Sequence, residues 1–275
     1  MTKVALYQST TGIDPEANAR ALEQAIGEAA AGGAEILFTP EMSGLLDRDS
    51  ARALTNLRGE EEDIVLAAAV NAAREHRIWL SIGSLAILGP EGKVANRTFV
   101  IDREGQVRAR YDKMHLFDVD LPTGESWRES NVYSPGQGAV LVNGTPVGKL
   151  GLTICYDLRF PMLFARLAES DADVISVPAA FTVPTGRAHW HILLRARAIE
   201  AGVFVVAAAQ CGRHEDGRQT FGHSLVIDPW GEVLLDMEDK PGVGFADIDL
   251  KRISDVRSRI PALNHRRPIP EAVTL

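Results

Sequence analysis

Residues 149–170 read KLGLTICYDLRFPMLFARLAES, and the change of period inside them decides the fold class. KLGLTIC is an apolar, β-rich run of strand length, whereas FPMLFARLAES spaces its apolar residues for a helix and opens near Pro161, a residue favoured in a first helical turn. A strand that runs straight into a helix is the unit of an α/β sheet. It sets Cys155 at the carboxyl end of the strand, where open α/β sheets bind ligands and present nucleophiles. The same rhythm extends outward. Upstream, KVALYQS predicts a strand, DPEANARALEQAIGEAAAGGA a helix stopped at Gly32 and Gly33, EILFTPE a strand ending at Glu41, and EEDIVLAAAVNAAREHR a second helix. IWLSIGSLAIL follows as a strand, then the turn GPEG and a hairpin around REGQ in RTFVIDREGQVRARYDKMH. Downstream come the strand DVISVPA, the helix AHWHILLRARAIEAG, and strands in VFVVAAAQC, HSLVIDPWGEVLLDM and VGFADIDL. Residues 117–137, rich in Gly, Pro and Ser, form the longest structure-poor segment, and a loop of that length inside a compact domain is usually functional.

Composition bounds the function. A chain of 275 residues, 45% hydrophobic, suffices for one large domain spanning 1–275. Its net charge of −8 would repel a phosphate backbone, so nucleic acid is not an expected partner. No apolar stretch approaches the ~20 residues of a membrane span, and residues 1–30 lack the pattern of a secretory signal, so a soluble, cytoplasmic protein is expected. Two cysteines, neither in a CxxC pair, fit a reducing compartment.

A lone cysteine is ordinarily a small buried hydrophobe, so Cys155 needs partners before it reads as a nucleophile. A thiol near pKa ~8.5 is mostly protonated at neutral pH and requires a base or a neighbouring positive charge. None of the seven histidines stands in a pattern that pairs it with Cys155. Glu41 closes FTPE and Lys113 follows a β-rich segment, both at strand ends comparable to that of Cys155. His189 and His191 in HWH are two apart on a helix and share no face, and no third ligand lies nearby, so no metal site is expected. Cys211, after VFVVAAAQ, reads as a buried thiol or pocket wall, and the glycines of GPEG and DPWG lack a dinucleotide context.

Taken together, FTPE, YDKMHLFDVD and GLTICYDLRFP resemble the glutamate, lysine and cysteine motifs of the nitrilase, or carbon–nitrogen hydrolase, superfamily, in that order and nearly end to end. The RESN context of Glu129, the SPG at 134–136, TGRAHW, LLRARAIE, AAAQCGRH, GHSLVIDPWGE and HRRP look like its branch of deaminated-glutathione amidase and omega-amidase. The resemblance implies an α-β-β-α sandwich, a homodimer, no cofactor and a small carboxylate-bearing amide as substrate. It implies Glu41 as general base, Lys113 as oxyanion stabiliser, Cys155 as nucleophile and Glu129 as an ordering acid. Lys113 is also expected to favour the thiolate through its charge. The backbone N–H of Tyr156 is a second oxyanion donor, and Arg159 and Arg128 are candidates to clamp a substrate carboxylate. One departure stands out: His191 occupies a position where related sequences often carry an acid. A nitrilase or N-carbamoyl amidohydrolase, and a catalytically silent binding member, are the competing readings.

Overall fold

The computed structural model describes residues 1–89, 92–120, 124 and 126–274. In chain order the first half comprises β1 (Thr2–Gln8), α1 (Pro15–Ala31), β2 (Ile36–Phe38), α2 (Ser50–Asn56), α3 (Ile64–His76), β3 (Trp79–Leu88), β4 (Val94–Ile101) and β5 (Val107–Asp112). A small hairpin follows, β6 (Asp118–Asp120) and β7 (Ser126–Arg128). The second half comprises β8 (Val140–Thr145), β9 (Gly148–Leu152), α4 (Pro161–Glu169), β10 (Val174–Ser176), α5 (Val183–Ala201), β11 (Phe204–Ala207), β12 (Cys211–Arg213) and β13 (Gln219–Phe221). It closes with β14 (Leu225–Ile227), β15 (Val233–Asp236), β16 (Gly242–Ile248) and α6 (Lys251–Arg259).

Two six-stranded sheets result, in the orders β16-β1-β2-β3-β4-β5 and β15-β14-β11-β10-β9-β8. Each has a parallel centre, β1-β2-β3 in one and β9-β10-β11 in the other, with antiparallel strands outside it. Side chains alternate across a strand, so a sheet covered on both faces must be apolar at every position. That is what β2 and the centre of β1, Val4 to Leu6, show. Val4, Leu6, Ile36 and Phe38 join the core shared with Leu150, Leu152 and Val174 of the second sheet. Ala5 and Leu37 instead meet Leu22 and Ile26 of α1 and Leu66 and Ala69 of α3. On the far side of the second sheet, Phe164 of α4 and Trp190 and Leu194 of α5 complete an α-β-β-α sandwich.

The helices start and stop where local chemistry directs. Asp14 caps α1 by accepting the Glu16 N–H, Pro15 takes the first helical position, and Gly32 ends it. Asp63 caps α3 through the Leu66 N–H, so the acidic run before it is a separate short 3-10 turn rather than part of the helix. The parallel strands are shorter than their apolar runs: β2 stops at Phe38 and β9 at Leu152, three residues before Glu41 and Cys155 respectively. The segment 117–137 is not structure-poor, since β6 pairs with β7 and a 3-10 turn covers Glu129–Asn131. Pro90 and Glu91 of the expected GPEG turn lie outside the described residues. No helix among the described residues is long and apolar enough to cross a membrane.

Candidate active site

Glu41, Lys113, Cys155 and Glu129 meet between the two sheets, at the carboxyl ends of β2, β5 and β9 and beside the 129–131 turn. The turn after β2 is folded tightly on β3. The Thr39 hydroxyl accepts the Gly83 N–H at 3.0 Å, and a Cβ on Gly83 would collide with the carbonyls of Thr39 and Pro40 and with Pro178. That close approach aims Glu41 toward the second sheet. Lys113 is fixed by its backbone: its N–H donates to Asn96 O (2.9 Å) and its carbonyl accepts Gly136 N–H (2.8 Å). Cys155 opens a 3-10 turn (residues 155–159) with φ of 46°, a left-handed conformation that costs a non-glycine residue about 1–2 kcal/mol. The bond from Cys155 N–H to Pro178 O (2.8 Å) helps to hold it there.

Asp157 anchors the same turn. Fully buried, it accepts the Ile154 N–H (2.9 Å) and the Tyr111 hydroxyl (2.6 Å) on one oxygen, and the His115 N–H (3.1 Å) on the other, which also contacts His115 Nδ1 (2.6 Å). One carboxylate thereby ties the cysteine turn to both flanks of Lys113.

The ammonium of Lys113 donates to Glu41 Oε1 (2.9 Å) and to both oxygens of Glu129 (3.1 and 2.9 Å). Asn96 Nδ2 bridges the same two carboxylates at 3.0 and 3.1 Å, and Ala180 N–H donates to Glu41 Oε2 (2.9 Å). Phe117 N–H holds Glu129 Oε2 at 2.7 Å. Burial pushes the Glu41 carboxyl up, but the charge of Lys113 and hydrogen bonds from Lys113, Cys155 and Asn96 outweigh it and leave Glu41 below the ordinary carboxylate range. Burial alone would lower Lys113, yet Glu129 and Glu41 hold it well above the usual lysine value. The thiol behaves oppositely. Burial, then the charge of Glu41, push Cys155 well up, and Lys113 offsets this only in part. The charge of Lys113 does act on the thiol in the expected direction, drawing its pKa down, but burial and the charge of Glu41 outweigh it.

Around the thiol, Tyr156 packs edge-on to Phe117 (5.0 Å between centroids) and to Phe160 (5.3 Å), giving an aromatic wall. Its N–H lies in the first turn of the 3-10 helix, where such groups have no intrahelical acceptor. Arg159 lies over the Phe181 ring at 5.5 Å and donates to His189 Nδ1 at 3.3 Å, with no carboxylate partner among the described residues. Arg128 is different. Both oxygens of Asp120 (2.9 Å each) and the carbonyls of Val119 and Trp127 occupy its exposed guanidinium, so the structure does not bring it to the cluster. Cys211 is buried beside Thr10, with no side-chain bond to the cluster among the described residues. His191 also lies outside the cluster, against Asp236. Sequence reasoning missed Asn96 and Asp157. Asp157 carried a signal, an acid inside an apolar turn two residues past the thiol, whereas Asn96 looks like any polar residue on a half-covered strand.

A buried thiol against an ionised carboxylate, with an ammonium adjacent, is equipped for acyl transfer by a nucleophile that is deprotonated as it attacks. Residues 3–258 match the carbon-nitrogen hydrolase family model, and the chain belongs to that family. It is an amide-hydrolysing enzyme of the nitrilase fold. A deaminated glutathione amidase from Rattus norvegicus is 40% identical over 269 residues, covering 96% of this chain and 82% of the relative. Among solved structures, the C. elegans NitFhit protein superposes with a TM-score of 0.89 at 38% identity, over 97% of this chain and 65% of that one. An amidase variant from Nesterenkonia sp. AN1, whose active-site cysteine carries acrylamide by Michael addition, gives a TM-score of 0.78 at 28% identity, over 95% of this chain and 98% of that one.

Proposed function

We propose that the enzyme hydrolyses deaminated glutathione through a thioester on Cys155, with Glu41 as base and Lys113 with the Tyr156 N–H as oxyanion donors. Glu129 orders Lys113, and Arg159 binds a substrate carboxylate. The observation that carries the reaction is the buried Glu41, held by Lys113, Asn96 and the Ala180 N–H beside the buried Cys155. As Cys155 Sγ attacks the amide carbon, Glu41 takes the thiol proton. The developing oxyanion meets preorganised donors, each worth ~3–4 kcal/mol of barrier. Glu41 then gives its proton to the departing amine, here cysteinylglycine, and the acyl group remains as a thioester. Glu41 next takes a proton from water, whose oxygen attacks the thioester; the acid leaves and the thiol regains its proton.

Two things support the substrate: relatives of that name at about this similarity along nearly the whole chain, and a guanidinium four residues past the nucleophile without an acidic partner among the described residues. The same reading takes residues 1–275 as one hydrolase domain working in the cytoplasm as a homodimer. Pairing of β1 with β16 supports the single domain, and exposed Ile192 and Ile199, one face of α5 at a seven-residue spacing, support the dimer. The test is a mass-spectrometric panel under one set of conditions: deaminated glutathione, 2-oxoglutaramate, an N-carbamoyl amino acid and a simple nitrile. Preferential release of cysteinylglycine is expected. Preference for the nitrile, or an Arg159→Met variant with unchanged KM, would overturn the substrate assignment and leave the thioester chemistry standing.

A further inference from the structure

A histidine that sequence reading set aside for want of partners acquires two through the fold. His191 on α5, His223 in the turn before β14 and Asp236 at the end of β15 come together although they are far apart in the chain. His191 Nε2 is 3.0 Å from Asp236 Oδ2, and His223 Nδ1 is 2.9 Å from Oδ1 and 3.2 Å from Oδ2. We propose that these three side chains bind one divalent transition-metal ion of the zinc type, which fastens α5 to the β14–β15 hairpin.

The spacing carries the inference. Metal–nitrogen bonds of about 2.0–2.1 Å in tetrahedral geometry set neighbouring ligand atoms about 3.3 Å apart. Oδ2 of Asp236 stands at 3.0 and 3.2 Å from the two imidazole nitrogens, and the three ligand atoms all lie within 4.8 Å of one another. The three ligand atoms are therefore close enough together to share one ion, with a fourth position for water. Two imidazoles with one carboxylate suit zinc and its neighbours rather than calcium or magnesium, which take oxygen ligands.

The ligands are also held from behind. His223 has φ of 55°, a backbone outlier of the kind that collects at functional positions. Its N–H donates to Glu238 O (2.5 Å) and its carbonyl accepts the buried Trp190 Nε1–H (2.8 Å), while the Phe221 ring stacks on its imidazole at 4.5 Å. Trp190 immediately precedes His191, so one helix turn fixes both the ligand and its opposite number. Asp236 Oδ1 accepts the Glu238 N–H at 2.9 Å. Phe221 N–H also donates to Phe181 O (2.9 Å), and Phe181 lies beneath Arg159 and next to Ala180, whose N–H holds Glu41. The ion would stiffen the outer wall of the catalytic cluster without entering it. The competing account is a metal-free imidazole–carboxylate–imidazole hydrogen-bonded group.

The test uses the tag-free Cys155→Ala chain, which removes one of the two free thiols and leaves the buried Cys211, stripped with a chelator and titrated with Zn2+ and Co2+ by calorimetry and visible absorption. One ion per chain is expected, with tetrahedral cobalt bands, no thiolate charge-transfer band and a raised thermal midpoint. His191→Gln and Asp236→Asn should each weaken binding by at least the tenfold to hundredfold that loss of an outer-shell partner costs. Should Asp236→Asn fail to fold, His191→Gln on a partly exposed helix position decides, its circular dichroism confirming the fold. No binding, thiolate bands, or unchanged affinity in His191→Gln would each overturn the site.

Discussion

Cys155 sits where its proton is held on, and this separates the enzyme from one that stores a thiolate. Because burial and Glu41 raise the thiol well above its usual range, kcat/KM should stay flat through pH ~8.5, where an ordinary cysteine ionises. A rise there, tracked by iodoacetamide alkylation of wild type and Cys211→Ala, would mean a preformed thiolate. Stability follows with definite signs. Glu41, held low, contributes above the unfolded carboxyl value of about 4.3, and that contribution is lost as pH falls through its lower folded value. Lys113, held high, contributes fully below about 10.4 and loses this only as pH rises through its folded value. The raised thiol acts against folding at alkaline pH, since the unfolded chain releases above about 8.5 a proton that the folded one keeps. Lys113→Met leaves two buried carboxylates uncompensated. Denaturant titration should show a loss of about 3–5 kcal/mol, and an unchanged midpoint would mean that Glu41 or Glu129 had become protonated. Cys155→Ala should abolish turnover with the fold intact, while Cys211→Ala, whose thiol lies against Thr10, should keep most of it; the reverse result would reassign the nucleophile.

At the scale of elements, what matters is how tightly the strand ends are stitched together. Gly83→Ala should cost about 1–3 kcal/mol and lower kcat, because the new methyl must push the Thr39–Pro40 turn, and Glu41 with it, off Pro178. Equal kcat and thermal midpoint would show that the turn yields freely. Asp157→Ala strips the acceptor from two backbone N–H groups and one hydroxyl, so both stability and kcat should fall, with KM the less affected. The elements themselves were legible where periodicity is strong. α1, α3, β3, the β4–β5 hairpin and the β9-to-α4 passage follow directly from spacing and caps. What was not legible has physical causes. In α6 only Ile253 and Val256 are buried in a charged nine-residue helix, too few for an apolar stripe, and β6 and β7 are stabilised by Asp120–Arg128 and Asp120–Ser126 contacts across the pair rather than by alternation. That pairing is also why Arg128 misled: a guanidinium in a supposed loop looks available until the strand opposite supplies its acid.

For the molecule as a whole, an apolar run is ambiguous between a strand covered on one face and one covered on two, and only the two-sheet arrangement resolves it. Exposed Ile192 and Ile199 give the proposed homodimer a direct test: Ile192→Glu combined with Ile199→Glu should shift the sedimentation coefficient to that of a monomer, and no shift would place any interface elsewhere. The order Glu41, Lys113, Cys155 was readable along the chain, but their meeting was not. It requires one sheet to supply two of the groups and the opposite sheet the third, and the bond from Ala180 N–H to Glu41 Oε2 crosses between them. Glu41, the proposed base, is therefore a strain gauge for the seam of the sandwich. Heat, pressure or denaturant that lets the layers slip should register as a change in the proton affinity of Glu41. Activity should fade while far-ultraviolet circular dichroism still reports intact strands and helices.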